Sequence, residues 1–361
     1  MKNENIPADI KSKSLKESRE EIDRILGKLE NQDTNLEESL SDYQKLIQLN
    51  NHIENLFKKR FKEISEQKKK MIKKNLPKNA KKIDRFLIKF LKRQKNSLLV
   101  KPMKYGVISG GKKIRSTIIF NTGKIFNIKE KKLLNICAAV ECIHSYSLIH
   151  DDLPCMDDDV IRRGKPATHI KFGEASAVLA GSSLLTLAFE IITDKKNLLN
   201  PSMKNEIVKS LAVCSGHTGI AGGQELDLKF ENKKKKINQI IDMQKKKTGK
   251  LFNFCLYAVG VVAKKNIKEK KYLSNLGEEI GLLFQLADDF LDEKGSKKLI
   301  GKPVKKDNKK GKSTLLSLMG EKKAFMYANN LKKKILRKLE KHGKKANELI
   351  NTIEFILERK F

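Results

Sequence analysis

The chain has 361 residues, room for one large domain and a small one, with 77 Lys+Arg against 43 Asp+Glu and a formal net charge of +34. Its lysines fall in short runs such as 245–247 and 332–334, without Trp and with few aromatics between, so no specific nucleic-acid binding is expected, only salt-sensitive attraction to polyanions. No uninterrupted apolar run reaches the roughly 18 residues of a membrane span, and Cys137, Cys142, Cys155, Cys214 and Cys255 show no CxxC, disulfide or zinc spacing, so a cytoplasmic protein with reduced thiols is expected.

The N-terminal stretch MKNENIPADIKSKS has no apolar core for a signal peptide, and residues 1–14 are expected to be disordered. Residues 1–67 hold 12 Lys+Arg and 14 Asp+Glu, so the basic excess lies wholly beyond them. From Ser14 a helical pattern puts Ile22, Ile25, Leu26 and Leu29 on one face. Asn35 then reads as an N-cap with Glu38 as its box partner, ahead of a stripe of Leu40, Tyr43, Leu46, Ile47, Ile53, Leu56, Phe57 and Phe61. Two such helices make an αα-hairpin within residues 1–70. A lone hairpin buries too little apolar surface to stand by itself, so it needs a partner or a second copy. His52, beside Asn50 and Asn51, reads as a surface residue. Residues 71–79 read as a linker around Pro77, and 80–361 as a second domain opening on a helix with Ile83, Phe86, Leu87, Phe90 and Leu91.

Apolar spacing beyond this point is helical, as in Leu133, Ile136, Cys137, Val140, Ile143 and Ser147, and strand signals are scarce, so an all-α fold is expected. The apolar run from Leu133 to Ile149 ends in His150-Asp151-Asp152-Leu153-Pro154-Cys155-Met156-Asp157-Asp158-Asp159. Five Asp so close together repel one another unless cations neutralise them. A solvated acidic turn would explain one such cluster, but Asp288-Asp289-Phe290-Leu291-Asp292 ends a second apolar run. On a helix Asp288 and Asp292 share a face, with Asp289 beside them. Carboxylate oxygens without nearby Cys or His suit a hard cation such as Mg²⁺, which completes its shell with water and phosphate oxygens. Two such ends facing each other would cage a diphosphate. Gly110-Gly111-Lys112-Lys113-Ile114-Arg115, Arg162-Arg163, Lys247-Thr248 and Lys302 supply cations for it. Gly311-Lys312-Ser313-Thr314 is not a phosphate loop, because Lys306 occupies the place of the required upstream Gly.

The stretches GGKKIR (110–115), ECIHSYSLIHDDLPCMDDDVIRRGKPATH (141–169), GGQELDL (222–228), KTGKL (247–251), FQLADDFLD (284–292) and GKPVKKDNKKGKST (301–314) occur in the order found in bacterial short-chain trans-prenyltransferases. From about residue 80 to the C-terminus the chain resembles these farnesyl and geranyl diphosphate synthases of the polyprenyl synthetase family. The resemblance implies a large isoprenoid-synthase-type helical bundle, a homodimer, and Mg²⁺, with Mn²⁺ as a substitute. It implies head-to-tail condensation of isopentenyl diphosphate with dimethylallyl or geranyl diphosphate. Asp151, Asp157 and Asp288 would then ligate the metal, with Asp152, Asp289 and Asp292 as direct or water-mediated ligands. Arg162, Lys247 and Lys302 would hold the allylic diphosphate, and Lys112, Arg115, His144 and Arg163 the isopentenyl diphosphate. Thr248 and Gln285 would line the carbocation. Lys113 stands where the family often has Arg. Tyr146 and Ser147, five and four residues before Asp151, would floor the prenyl pocket. A Tyr there implies farnesyl diphosphate, with geranyl and geranylgeranyl diphosphate as alternatives.

LGKLENQDTNLEESLSDYQKLIQL (26–49) and its flanks, over residues 14–66, resemble the small subunit of exonuclease VII, which implies docking onto a large nuclease subunit. Two other readings compete: an interaction protein with a passenger synthase-like domain, and a terpene cyclase. A cyclase would have no use for the second diphosphate site of Lys112, Arg115 and His144.

Overall fold

The structure, a computed structural model, describes residues 6–30, 35–94, 97–108, 110–233, 235–294 and 314–357. It divides into two units, Met1–Met71 and Ile72–Phe361.

In the first unit a short helix α1 (Ala8–Lys11) precedes α2 (Leu15–Leu29) and the start of α3 (Leu36–Leu91). Ser14 caps α2 reciprocally: its Oγ accepts from the Glu17 amide at 3.3 Å, and Glu17 Oε2 accepts from the Ser14 amide at 2.7 Å. Asn35 Oδ1 accepts from the amide of Glu37 at 3.4 Å, so α3 is capped at the expected residue but one position short of the expected box. A small core joins Ile10, Ile25 and Leu49, with Ile6, Ile22, Leu29 and Leu46 against it. Three expectations change here. Residues 8–11 are helical, because Ile10 has apolar surface to bury. Leu26 is exposed. His52 is buried, with Nε2 2.8 Å from the carbonyl oxygen of Lys13, so it ties α3 to the turn before α2. Glu21 joins the same elements by ion pairs of 2.6 Å to both Lys13 and Lys45.

Residues 71–79, expected as a linker, are helical throughout. Lysine-rich sequence is compatible with a solvated helix, and Ile72 and Leu76 have apolar neighbours in the second unit's core. Pro77 lies inside the helix, where it forgoes one backbone hydrogen bond and crowds the carbonyl four residues before it, a local cost that the flanking apolar packing offsets.

Among its described residues the second unit is all-α apart from two two-residue strands. Its described helices are the rest of α3, α4 (Val100–Ile108), α5 (Ile114–Ile125), α6 (Leu134–Asp151), α7 (Thr168–Phe172), α8 (Glu174–Thr193), α9 (Pro201–Ser215), α10 (Ile220–Phe230), α11 (Ile237–Gln244), α12 (Lys250–Val262), α13 (Ile267–Lys294), α14 (Leu315–Met319), α15 (Glu321–Glu340) and α16 (Asn347–Leu357). A π-helical turn, Lys245–Gly249, joins α11 to α12. The α6–α8 and α12–α13 pairs are the most extensively packed. A Cβ on Gly277 would lie 2.3 Å from the Phe252 carbonyl oxygen, and one on Gly281 2.6 Å from the Cα of Gly249, so glycine lets α12 and α13 approach this closely. Phe120, Phe252, Phe254 and Phe290 fill the core. Among the described residues only α8 is long and apolar enough to cross a membrane by length and composition; it buries Ala177, Ala180, Leu184, Leu187, Ile191 and Ile192 inside the bundle.

Candidate active site

The apolar run of α6 delivers its acidic end to one side of the bundle. Asp151 is the last residue of the helix and Asp152 caps it. The loop that follows folds back on itself, with the Asp157 amide donating to the Asp151 carbonyl at 2.8 Å and the Asp159 amide to that of Asp152 at 3.1 Å. This turn stacks the aspartates instead of letting them disperse. Strands β1 (Ile161–Arg162) and β2 (Lys165–Pro166) then form a minimal antiparallel hairpin. Its two turn residues, Arg163 and Gly164, have φ of 55° and 73°, the primed-turn geometry that matches strand twist.

Arg162 reaches back across the acidic loop. Its Nε donates to both oxygens of Asp152, at 2.9 and 3.2 Å, and its Nη2 donates to Asp152 and, at 3.2 Å, to Asp159 Oδ2. Asp152 and Asp159 are buried, so this fork keeps a fixed geometry. Asp151 stands differently. Burial raises its carboxyl to about 6; Asp157 and Asp152 push the same way, while Lys247 and Arg162 oppose. A carboxylate so penalised is one that an added cation would stabilise.

Lys247 and Thr248 lie in the π-helical turn, which aims consecutive side chains at different partners. Lys247 Nζ donates to Asp227 Oδ2 of α10 at 2.6 Å. Thr248 Oγ1 donates to Gln285 Oε1 of α13 at 2.8 Å, and Gln285 Nε2 donates in turn to Asp289 Oδ1 at 2.9 Å. Gln244 Nε2 donates to the other oxygen of Asp289 at 2.9 Å. Asp289 is therefore buried and held by two amides, whereas Asp288 and Asp292, one turn apart, are only partly buried.

A second group of cations gathers around Gly110-Gly111. Both glycines have positive φ, 97° and 99°, as has Lys113 at 43°. The Arg163 guanidinium lies over Gly111, where a Cβ would come within 2.9 Å of it, and Nη1 donates to the Gly110 carbonyl at 2.9 Å. Lys113 turns inward to Asp84 at 3.2 Å, leaving Lys112 on the exposed side over the Phe355 ring at 5.8 Å. Arg115 stacks on Phe252 and Phe284, 4.7 and 5.7 Å from their centroids. Burial lowers the Arg115 pKa; Glu141 and Asp288 are among the negative groups that oppose the shift, so Asp288 of α13 faces this group. His144 is driven well below its ordinary value by burial and then by Arg115, Arg163, Lys113 and Arg162, which keeps the imidazole neutral among four cations. Beneath them Glu141 is buried, accepting from Ser116 Oγ at 2.7 Å.

Fourteen of the expected site residues thus fall into three linked groups on the Gly-Gly turn, α5, α6, the acidic loop, the β1–β2 hairpin, the π turn and α13, and Lys302 lies outside the described residues. Tyr146 is buried below Asp151, whose charge contributes to raising the phenol to about 12 after burial itself. The phenol donates to the Ser215 carbonyl at 3.2 Å, while Ser147 Oγ bonds within its own helix to the His144 carbonyl at 3.0 Å. The motifs contained Asp227, Glu141 and Asp159 without marking a role for them, and Gln244 lies outside every motif. Only Glu141 carried a local signal, as a lone acid inside an apolar helical run.

The family model described as polyprenyl synthetase matches residues 96–353. The chain belongs to the polyprenyl synthetase family. It is 38% identical over 270 residues to the farnesyl diphosphate synthase of Escherichia coli K12, covering 73% of this chain and 90% of that one. It is 40% identical over 256 residues to that of Bacillus subtilis 168, covering 70% and 82%. An FPP/GFPP synthase structure from Zymomonas mobilis superposes with a TM-score of 0.71 at 37% identity, over 79% of this chain and 98% of that one. A geranyltransferase from Helicobacter pylori, solved with magnesium and isoprenyl diphosphate, has a TM-score of 0.66 at 31% identity, over 78% and 96%. This polyprenyl synthetase is accordingly a prenyltransferase built on the isoprenoid-synthase helical fold, and residues 1–95 stand outside the family match.

Proposed function

We propose that the enzyme condenses isopentenyl diphosphate with dimethylallyl and then geranyl diphosphate, giving farnesyl diphosphate. The observation that carries this reading is the meeting of two unlike charge groups. Acidic ends of α6 and α13 stand beside Lys247, Arg115 and Arg163, as a reaction between two diphosphates requires. The named activity of the Escherichia coli and Bacillus subtilis relatives supports the product.

The donor set fits Mg²⁺. Its oxygens are all carboxylate, and Asp151 is destabilised as an anion until a cation arrives. Asp151, Asp157 and Asp288 would hold it, with Asp292 on the same helix face as Asp288; Mn²⁺ suits the same oxygens. Asp152 and Asp289, already engaged by Arg162 and by Gln244 and Gln285, brace the clusters. Bound Mg²⁺ supplies positive charge to a departing diphosphate.

Lys247, Arg162 and Lys302 bind the allylic diphosphate. Arg162 is oriented for this by its fork to Asp152, and Lys247 by Asp227. As the allylic C–O bond breaks, Thr248 Oγ1 and the Gln285 side-chain oxygen turn dipoles toward the cation without offering a nucleophile strong enough to trap it. Lys112, Arg115, Arg163 and neutral His144 fix isopentenyl diphosphate so that its double bond attacks the allylic carbon. The new C–C bond forms, and the proton lost from the adduct passes to the departing pyrophosphate. Tyr146 limits product length beneath Asp151.

The enzyme acts as a homodimer, a reading supported by the exposed Val178 and Leu179 on the otherwise apolar α8. The N-terminal hairpin, residues 14–66, is a docking module for a large subunit of exonuclease VII type, supported by its loop sequence and by its separation as a unit. Incubation of the purified chain with Mg²⁺, isopentenyl diphosphate and dimethylallyl diphosphate tests the enzymatic reading. Farnesyl diphosphate is expected from the wild type and none from Asp288→Ala. A helical, soluble wild type that makes no prenyl diphosphate would overturn it.

A further inference from the structure

Within the first unit α3 carries two stripes. One, through Leu46 and Leu49, is turned into the hairpin core. The other runs Leu40, Tyr43, Ile47, Asn50, Glu54, Phe57, Phe61 and Ile64, and every one of these side chains is exposed. Phe61 is 77% exposed, Leu40 61%, Tyr43 60% and Phe57 60%, on a face that nothing in the unit covers. Its spacing alternates three and four residues without interruption, the 3.5-residue period of a coiled-coil seam. Over the roughly 37 Å of helix from 40 to 64, two seam positions are polar.

Those two positions select the partner and the register. We propose that this face pairs antiparallel with the same face of a second copy of the chain, about a two-fold axis at residue 52. Leu40 then meets Ile64 of the other copy, Tyr43 meets Phe61, Ile47 meets Phe57, and Asn50 meets Glu54. Each layer joins an a position to a d position, as antiparallel coiled coils require, and each occurs twice by symmetry. The polar residues fall in the same two central layers, where the Asn50 amide donates to the Glu54 carboxylate. That carboxylate already accepts from Lys58 at 3.0 Å and has lone pairs to spare.

Other arrangements fail on the same residues. Parallel, in-register pairing sets Glu54 against Glu54. A one-heptad slip in one direction sets Asn50 against Phe61 and Glu54 against Phe57, and in the other sets Glu54 against Tyr43 and Asn50 against Ile47. Charge points the same way. Glu37, Glu38 and Asp42 lie at one end of the seam and Lys58, Lys59, Arg60 and Lys62 at the other, so antiparallel pairing brings acidic ends to basic ends. The pairing is independent of the nuclease-docking reading and of any contact between synthase domains.

Disulfide trapping in the full chain, with exposed Cys155 changed to Ser, tests the register locally. Chains bearing Asn50→Cys and chains bearing Glu54→Cys are oxidised separately and as an equal mixture, and linked peptides are identified by mass spectrometry. The mixture is expected to give the 50–54 cross-link as the dominant product, and each chain alone only a small fraction of linked material. Introducing Ile47→Asp with Phe57→Asp should abolish the link while the helical circular-dichroism signal is kept. Efficient 50–50 and 54–54 links from the separate chains would establish parallel pairing and overturn the proposal. So would the absence of any linked chain in the mixture at unchanged helicity.

Discussion

Replacing Gly223 by alanine isolates the contact between α10 and the π-helical turn. A Cβ at this position would sit 2.1 Å from the backbone nitrogen of Lys247 and 2.5 Å from its Cα. Ordinary contact begins near 3.4 Å, so the two segments must part by about 1.3 Å. The atoms met are main-chain atoms, which cannot swing aside as a side-chain tip would. Forced separation of this kind costs about 1–3 kcal/mol. It also carries Lys247 away from Asp227 and Thr248 away from Gln285, and an ångström-scale misplacement in an active site costs about 100-fold in rate. Gly223→Ala should therefore lower kcat/KM for allylic diphosphate by about two orders of magnitude, read by radiolabelled isopentenyl diphosphate incorporation, with a fall of several degrees in Tm. Gly27→Ala is the control, because a Cβ there meets nothing within 4 Å. It should leave activity unchanged and stabilise α2 by about 0.5–1 kcal/mol. A Gly223→Ala enzyme with wild-type kcat/KM and Tm would show that the turn does not depend on this approach.

Asp227→Asn removes the charge that holds Lys247 at 2.6 Å, and should reduce kcat/KM about tenfold or more with little change in Tm, measured by steady-state kinetics and thermal melts. Tyr146→Ala should shift the product from farnesyl toward geranylgeranyl diphosphate, seen by chromatography of the dephosphorylated alcohols, whereas Tyr146→Phe, which loses only the bond to Ser215, should keep the farnesyl product. Hydrogen bonds from Lys13 and Lys45 hold the Glu21 carboxyl down at about 2. Because that pKa is depressed, its stabilisation is complete above the ordinary value of 4.5 and fades as pH falls toward 2. Glu21→Gln should cost the hairpin about 1 kcal/mol at pH 7 after solvent screening, and only a small part of that near pH 2, where the carboxyl is half protonated, measured by hydrogen exchange in α1–α3.

The acidic helix ends were legible because two local patterns, apolar periodicity and clustered Asp, coincide in one stretch. Composition and spacing alone could not tell Asp151 from Asp152, which only the family resemblance set apart. They are adjacent and chemically identical, and differ in surroundings that the fold creates: Arg162, ten residues on, folds back to hydrogen-bond Asp152, while burial raises the carboxyl of Asp151. Nor could it show that Asp289 would be held by Gln244, or that Lys247 would find Asp227, since those bonds join helices far apart in the chain. The helical conformation of residues 71–79 was not legible for a related reason. Pro and Lys disfavour or dilute a helix locally, but α3 is sustained through them by apolar residues on either side, among them Ile72 and Leu76. His52 was misjudged from its polar neighbours, although its carbonyl partner lies 39 residues away.

The turn at Lys245–Gly249 makes this part of the enzyme sensitive to length more than to composition. One residue more than an α-helical turn would hold is accommodated there, and each residue of an α-helix advances the side-chain direction by about 100°. Deleting any single residue between 245 and 249 would regularise the helix and rotate all of α11 against α12. Lys247 and Thr248 would then lose their separate aims even if both side chains survived the deletion. Lysine-to-arginine exchange at the half-buried Lys245 or Lys246 of the same turn leaves that phase intact. Variation among functional versions of this chain should therefore enter the segment as substitutions, with insertions and deletions confined to the loops on either side of α11–α12.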